Sequence, residues 1–507
     1  MQYADRENGV REMTNQAIPA STLPGPPVSR WFGFFPEFRR DSLGFLLRCR
    51  AYGDVVKLPM GLLAALILRE RDPAMYLLNH PADLKHVLVI NQDNYTKAPV
   101  PPVEARIFGQ GVLHAEGDAH HQQRRLFLPF FHGDHVASYT GLITEKASAL
   151  VSSWPEGATV DIAQEMTRLT LSVIWRLLFG EDVGTESTEV RQTITTGQHL
   201  IKLQNDSFFA RMTPLWVPTR MHRECFGGFH ALEARIQRLI RDRRTRRRGA
   251  HDLLALLLSA TDGTGQPLGD EEIRDELVTF LLAGHETTAT ALTWSWFLLS
   301  QFKTVRGHLT HELKTVLGDR LPTAADVPRL AYTKMIWDET LRLYPPAWLL
   351  HPRMSRSEDR LPSGILLPPA ARVFLSPWSL HRNPRWFPDP DRFDPDRFSE
   401  NVRNRRPSFS YLPFGAGARR CLGESFAELE GVLVLATVAS KVRLRLLEGQ
   451  TVLPTALMTL RPQVPVWMTV GPVDAHELPS CGGLTGGLPL SFFRLSRKNG
   501  LPRLFAS

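Results

Sequence analysis

Phe414-Gly415-Ala416-Gly417-Ala418-Arg419-Arg420-Cys421-Leu422-Gly423 is the stretch whose reading decides the fold. A cysteine sits in a glycine-rich loop with two arginines just before it. From Glu424 to about Leu435 the sequence is rich in Ala, Leu and Glu, which predicts a helix. A thiolate at Cys421 would face the N-terminal end of that helix, where free N–H groups and the macrodipole favour negative charge. Glycines without a Cβ let the backbone turn tightly and come close to a flat ligand. The competing reading is a small buried cysteine acting as an inert hydrophobe.

Composition narrows the class. The chain has 507 residues, 43% of them hydrophobic and 22% charged, values of an ordinary globular protein. The four cysteines, Cys49, Cys225, Cys421 and Cys481, form no C-x-x-C or C-x-x-C-H pair. That argues against a zinc site, a disulfide framework and a c-type haem, and fits a reducing, cytoplasmic setting. Net charge is +8 and the sequence pI about 9.4, which suits a solvated basic surface, an acidic partner protein, nucleic acid or anionic lipid. No nucleic-acid-binding motif accompanies the charge. A membrane span needs about 20 consecutive apolar residues. The longest apolar run, Met60 to Leu68, is far shorter and reads as a strand. The first eighteen residues are polar and charged, so no signal peptide is expected.

Along the chain, residues 1–28 read as a flexible arm, polar and then Pro-rich. Short apolar runs from Val55 to about Leu78 predict two or three strands, and Pro81 to Ile90 a helix. Asn94 to Val112, broken by Pro99, Pro101, Pro102, Gly109 and Gly111, reads as a long loop of the kind that carries function. Apolar residues at three-and-four spacing predict helices near 140–154, 162–179, 190–204 and 226–244, and a long one near 271–300. Alternation from Val442 to Val470 predicts strands. Residues 474–507 are Gly-rich and form a C-terminal extension of unknown role.

Near the middle of the long helix stands Phe280-Leu281-Leu282-Ala283-Gly284-His285-Glu286-Thr287-Thr288. Gly and β-branched polar residues are poor choices for a helix interior, and a Thr hydroxyl there can bond back to a carbonyl of the preceding turn. Local rules failing inside an otherwise apolar helix point to a functional site. Glu339-Thr340-Leu341-Arg342 places a carboxylate and a guanidinium on one helix face. His120 and Arg124 are spaced i, i+4 at the start of another helix.

Together these motifs resemble the cytochrome P450 family over roughly residues 30–470. Phe414, Gly417, Arg419, Cys421 and Gly423 fit F-x-x-G-x-R-x-C-x-G at every position. The 283–288 stretch fits [AG]-G-x-[DE]-T-T, Glu339 and Arg342 fit E-x-x-R, and Pro395-Asp396-Arg397-Phe398 fits P-x-R-F. The resemblance implies a mainly α (α+β) fold, a large helical part with a small β-rich part, in a haem domain over 29–473. It implies haem b with Cys421 as the iron ligand. It gives His120, Arg124, Arg419 and Arg353 to the propionates, and Phe414, Gly417 and Gly423 to the cofactor loop. Ala283 and Gly284 would leave room over the haem face. Glu286 and Thr287 would be an acid–alcohol pair delivering protons to the dioxygen being reduced. Glu339, Arg342 and Arg397 would form a buried network behind the haem. The implied activity is a monooxygenase inserting one oxygen atom from O2 into a hydrophobic substrate, a fatty acid, carotenoid or other terpenoid. Electrons would come from a ferredoxin- or flavodoxin-type donor with its NAD(P)H reductase. Two alternatives stay open: a peroxygenase or isomerase of the same fold that needs no external electrons, and a haem protein that binds ligands without turnover.

Overall fold

The computed structural model describes residues 18–473, apart from 71–72, 185–186, 207–214, 218, 247–251 and 264. The chain falls into two units. The first comprises residues up to Ala98 together with His351–Leu375; the second runs from Pro99 to Leu350 and resumes at Ser376.

The first unit is built on a five-stranded sheet in the order Val55–Pro59, Ala74–Leu78, Arg372–Leu375, Arg353–Ser355, Tyr95–Lys97. All five residues of Ala74–Leu78 are buried, as an unbroken apolar strand requires. Phe34, Phe38, Phe45 and Phe374 cluster in the same unit. Ile18–Pro19 pairs in parallel with Ile365–Leu366, so the arm expected over 1–28 is tied into a small sheet from Ile18 onward. Its earlier part lies outside the described residues.

Two sequence expectations fail here. The apolar run expected to be a strand is a helix, Gly61–Leu68. It reads Gly-Leu-Leu-Ala-Ala-Leu-Ile-Leu, mostly strong helix formers, and a uniformly apolar run carries no periodicity to tell strand from helix. The expected loop 94–112 holds a strand, Tyr95–Lys97, and a helix, Pro102–Phe108. Pro102 opens that helix instead of breaking it, because the first helical N–H needs no partner. Strands Val55–Pro59 and Ala74–Leu78 form as expected. Pro81–Lys85 is helical and continues as a π-helical turn, His86–Ile90.

The second unit is mostly helical. The long helix Asp270–Gln301 packs along Ile162–Phe179, and a Cβ at Gly284 would sit 2.8 Å from Ile174 Cδ1. The helix after the cysteine, Glu424–Ala439, packs on Ala331–Leu343; a Cβ at Gly431 would lie 2.6 Å from the Trp337 ring. Both glycines are there for close helix approach. Helices Thr140–Ser152, Ser187–Asp206 and Arg220–Arg246 cover the other helical expectations. The expected C-terminal strands are present. Arg443–Leu446 and Trp467–Gly471 join Thr159–Asp161 in one sheet, and Pro454–Ala456 pairs with Leu460–Pro462 in a hairpin. Trp294 Nε1 donates 2.8 Å to the Leu460 carbonyl, which pins that hairpin to the long helix. The extension 474–507 lies outside the described residues.

Candidate active site

Gly415 and Gly417 take φ of 67° and 69°, the left-handed region that glycine enters without penalty. Their turns fold the loop back so that the Cys421 N–H donates to the Phe414 carbonyl at 2.9 Å. The helix begins at Glu424, with Gly423 capping it. Cys421 is exposed, whereas Cys49 and Cys225 are buried. Its sulfur is nevertheless set among protein atoms, and that desolvation pushes the thiol up to about 11; the Gly423 N–H and the charges of Arg124 and Arg420 pull the other way. A metal ion bound at that sulfur would displace the thiol proton outright.

Basic residues gather around this loop. Arg124 Nη1 donates to the Arg420 carbonyl at 2.7 Å. Arg419 Nη1 donates to the Ala115 carbonyl at 2.6 Å and its Nη2 pairs with Glu116 at 2.7 Å. The helix Gly117–Phe127, which carries His120 and Arg124, is thereby brought against the cysteine loop; His120 is buried. Arg353 belongs to the first unit, on its strand Arg353–Ser355, and donates to the His351 carbonyl at 2.7 Å. Arg420 forms a two-pronged ion pair with Glu424. Among the described residues no group of three or more His, Cys, Asp and Glu could hold a bare metal ion. A single sulfur donor beside cationic side chains fits an iron whose other ligands come from a macrocycle bearing carboxylates, which is the donor chemistry a haem requires.

On the long helix, Thr287 Oγ1 donates to the Ala283 carbonyl at 2.8 Å, the back-bond expected of a helical threonine. Ala283 is exposed and Thr287 half-buried, whereas Glu286 is buried. Glu286 and Thr287 make no hydrogen bond to each other. The Glu286 carboxylate accepts from Gln198 on one oxygen and from the Thr459 hydroxyl, at 2.7 Å, on the other. Burial raises its carboxyl above the usual range, partly offset by Thr459 and Arg461. Burial pushes His285 down to about 4, so it stays neutral.

Glu339 and Arg342 are fully buried and form a bidentate pair at 2.6 and 2.7 Å. Arg342 also donates to the carbonyls of His381, Pro390 and Arg392, and Glu339 accepts from the Asp394 N–H. Arg397 joins as an ion pair at 3.5 Å to Glu339 and donates to the Asp389 carbonyl. His381 Nε2 accepts from the Leu412 N–H at 2.8 Å, which links this network to the start of the cysteine loop.

Several residues were invisible to sequence reasoning. Gln198 and Thr459 reach Glu286 from distant segments. Glu430, buried on the helix after the cysteine, faces Thr288, and burial pushes its carboxyl up to about 8. Asp275 and Glu276 hold the segment after Phe108 by accepting the N–H groups of Gln110 and Val112 at 2.7 and 3.0 Å. An acid followed by a hydrophobic run gives no sign of a partner more than 150 positions away.

A buried acid and a threonine at mid-helix, and a cysteine loop flanked by arginines and backed by a charged network, are the features that the cytochrome P450 resemblance leads one to expect. The sequence matches the cytochrome P450 family over residues 65–468, and the chain belongs to that family. It is 36% identical over 427 residues to cyclooctatin synthase of Streptomyces melanosporofaciens, covering 83% of this chain and 89% of that one. It is 34% identical to cyclooctat-9-en-7-ol 5-monooxygenase of the same organism, covering 87% and 92%. With pentalenene oxygenase of Streptomyces avermitilis it shares 32%, covering 88% and 96%. The crystal structure of the cytochrome P450DA heme domain superposes with a TM-score of 0.78 at 25% identity, over 91% of this chain and 99% of that one. The chain is a cytochrome P450 monooxygenase, an oxidoreductase. No described helix is long and apolar enough to cross a membrane.

Proposed function

We propose that this enzyme inserts one oxygen atom from O2 into a terpenoid, using haem b bound through Cys421 and electrons from a separate ferredoxin- or flavodoxin-type donor with its NAD(P)H reductase. The observation that carries the haem part is the docking of the Cys421 loop on the segment bearing Arg124: Arg124 reaches the Arg420 carbonyl, and Arg419 of the loop reaches the Ala115 carbonyl. The substrate class rests on the relatives named above, which act on terpenoids by their names. Haem supplies the oxygen activation when bound. The chain supplies the rest. Cys421 binds the iron; Arg124, Arg419 and His120 neutralise the propionates; the Glu339–Arg342 pair fixes the backbone behind the loop. Ala283 keeps the exposed face of the long helix free of bulk, and Thr287 presents a hydroxyl there that both donates and accepts. Glu286, held by Gln198 and Thr459, stores the proton that Thr287 passes on.

The test has two arms. The reduced, CO-bound protein should show the red-shifted Soret band of a thiolate-ligated haem, and Cys421→Ala should lose it. Incubation of a terpenoid panel under 18O2 with a ferredoxin system should give a product carrying one labelled oxygen. Retention of the band in Cys421→Ala overturns the ligand assignment. Product formed with hydrogen peroxide but not with O2 and electrons overturns the monooxygenase reading in favour of a peroxygenase.

A further inference from the structure

The helix Gly61–Leu68 stands out in the first unit because, among the described residues, none covers its outer face, where Leu62, Leu66, Ile67 and Leu68 are exposed. It contains no charged or hydrogen-bonding side chain, and none of its eight residues is buried. Leu66 is 72% and Ile67 47% exposed. A helix apolar all round normally sits in a protein core or in lipid. It lies beside a second exposed apolar segment. The Leu62 and Leu63 N–H groups donate to the carbonyls of Arg30 and Trp31 at 3.0 Å each, so the two backbones are joined. Trp31 and Phe32 are 59% and 53% exposed. A Cβ at Gly61 or Gly33 would collide with the facing backbone within 2.6 Å, so this close seam is specific to glycine.

Arginines flank the patch. The Arg30 carbonyl accepts the Leu62 N–H, Arg69 caps the helix, and both side chains are exposed. Arg39 and Arg40, at the end of the helix Phe35–Arg40 that follows Phe32 in sequence, are exposed as well. Two acidic neighbours are already paired, Asp41 with Arg48 at 2.9 Å and Glu70 with Arg372 at 2.8 Å. An apolar centre carrying Trp and Phe with arginines at the edge is the pattern of a surface lying in the interface of a bilayer. At about 1.5 Å per residue the helix is about 12 Å long, far below the roughly 30 Å of a hydrocarbon core, so it can enter one leaflet but not span. A second copy of the chain is a poorer occupant. A two-fold contact through this patch would bring the arginines of both copies into one interface, while anionic headgroups neutralise them.

We propose that Gly61–Leu68, with Trp31 and Phe32, is a docking surface for an anionic phospholipid bilayer. The apolar side chains enter the headgroup boundary and the arginines meet lipid phosphates. The inference is independent of the substrate class, though a lipid-soluble substrate would make such an address useful.

The experiment is vesicle flotation of the full-length, haem-loaded protein, using phosphatidylcholine vesicles with and without phosphatidylglycerol. Wild type is compared with Leu66→Glu, Ile67→Glu and Arg69→Glu, each first checked for an unchanged CO spectrum and melting temperature. Wild type should float with the anionic vesicles. Leu66→Glu and Ile67→Glu should bind about tenfold or more weakly, since each trades buried apolar area for a charge. Arg69→Glu should show a smaller loss that high salt mimics. No flotation of wild type overturns the proposal. So does equal binding by wild type and both glutamate variants, which would place adsorption elsewhere on the basic chain. Light scattering covers the remaining case: a dimer that Leu66→Glu converts to monomer, with no vesicle binding, makes a second copy the occupant and overturns the lipid assignment.

Discussion

Thr459 donates a 2.7 Å hydrogen bond to Glu286 from 173 positions further along the chain. With Gln198 holding the other carboxylate oxygen, Glu286 is anchored from outside its own helix. Thr287, one residue on, turns its hydroxyl to the Ala283 carbonyl. Successive helical residues point about 100° apart, so the acid and the alcohol serve different faces of one helix. A proton passing between them needs a relay, and each end of that relay is fixed by different neighbours.

Thr459→Val should therefore shift a pH profile without removing activity. The Thr459 hydroxyl pulls the Glu286 carboxyl down against the burial that raises it. Without that hydroxyl, any step reporting Glu286 ionisation should move to higher pH, and Thr459→Ser should restore it. The measurement is product formed per NAD(P)H consumed as a function of pH. Coincident profiles for wild type and Thr459→Val would detach Thr459 from the relay.

Thr287→Ala should uncouple the enzyme and leave its fold intact. The change deletes one hydroxyl and installs the better helix former. NAD(P)H oxidation should continue while product falls and hydrogen peroxide rises, with an unaltered CO spectrum. Equal coupling in the two proteins would remove Thr287 from proton delivery.

Glu430 should make stability depend on pH. Burial raises its folded-state carboxyl to about 8, above an ordinary glutamate near 4.3. The folded chain then holds a proton that the unfolded chain releases. This contribution is fully present below about pH 4 and is lost as pH rises through about 8. Glu430→Gln stays neutral and should flatten that part of the melting-temperature profile. An identical slope in wild type and variant would show that Glu430 is already ionised in the native state.

Removing one partner of the Glu339–Arg342 pair should cost about 3–5 kcal/mol, because the other charge remains buried and uncompensated. Glu339→Ala should give poorly folded or haem-free protein, as read by melting and by haem content. A soluble, fully loaded variant of unchanged melting temperature would contradict the network.

Electron delivery should weaken with salt. Arg403 and Arg405 are exposed close before the cysteine loop in sequence and can steer an acidic donor. Arg406 is less available to a partner: its guanidinium lies over the Phe387 and Phe398 rings, 4.8 and 4.5 Å from their centres. First-electron transfer from a ferredoxin should slow with ionic strength and with Arg403→Glu plus Arg405→Glu. Reduction indifferent to both would point to another docking face.

How much the sequence revealed depended on the range of the signal. The helix Ile162–Phe179 appears at its expected bounds because its apolar stripe and its caps, Asp161 and Gly180, are local. The Glu339–Arg342 pair was visible as an i, i+3 spacing. Gly61–Leu68 was misread because an all-apolar octet has no period. Gly284 was assigned to the cofactor by resemblance, but its missing Cβ faces Ile174 of another helix. Nothing in a linear sequence says which helix will lie alongside. Gln198, Thr459 and Glu430 were missed for the same reason, since their meaning comes only from contacts made across the fold.

Arg124 meets the Arg420 carbonyl across 296 positions, and Arg419 meets the Ala115 carbonyl across 304. At about 5–20 residues per second, a ribosome that has just finished the helix bearing Arg124 needs roughly 15–60 s more to deliver Arg420. For that interval one wall of the pocket exists as finished helices while the other is not yet synthesised. The cysteine loop can close only near the end of translation, so Arg124 spends most of the chain's synthesis without the loop carbonyl it finally bonds.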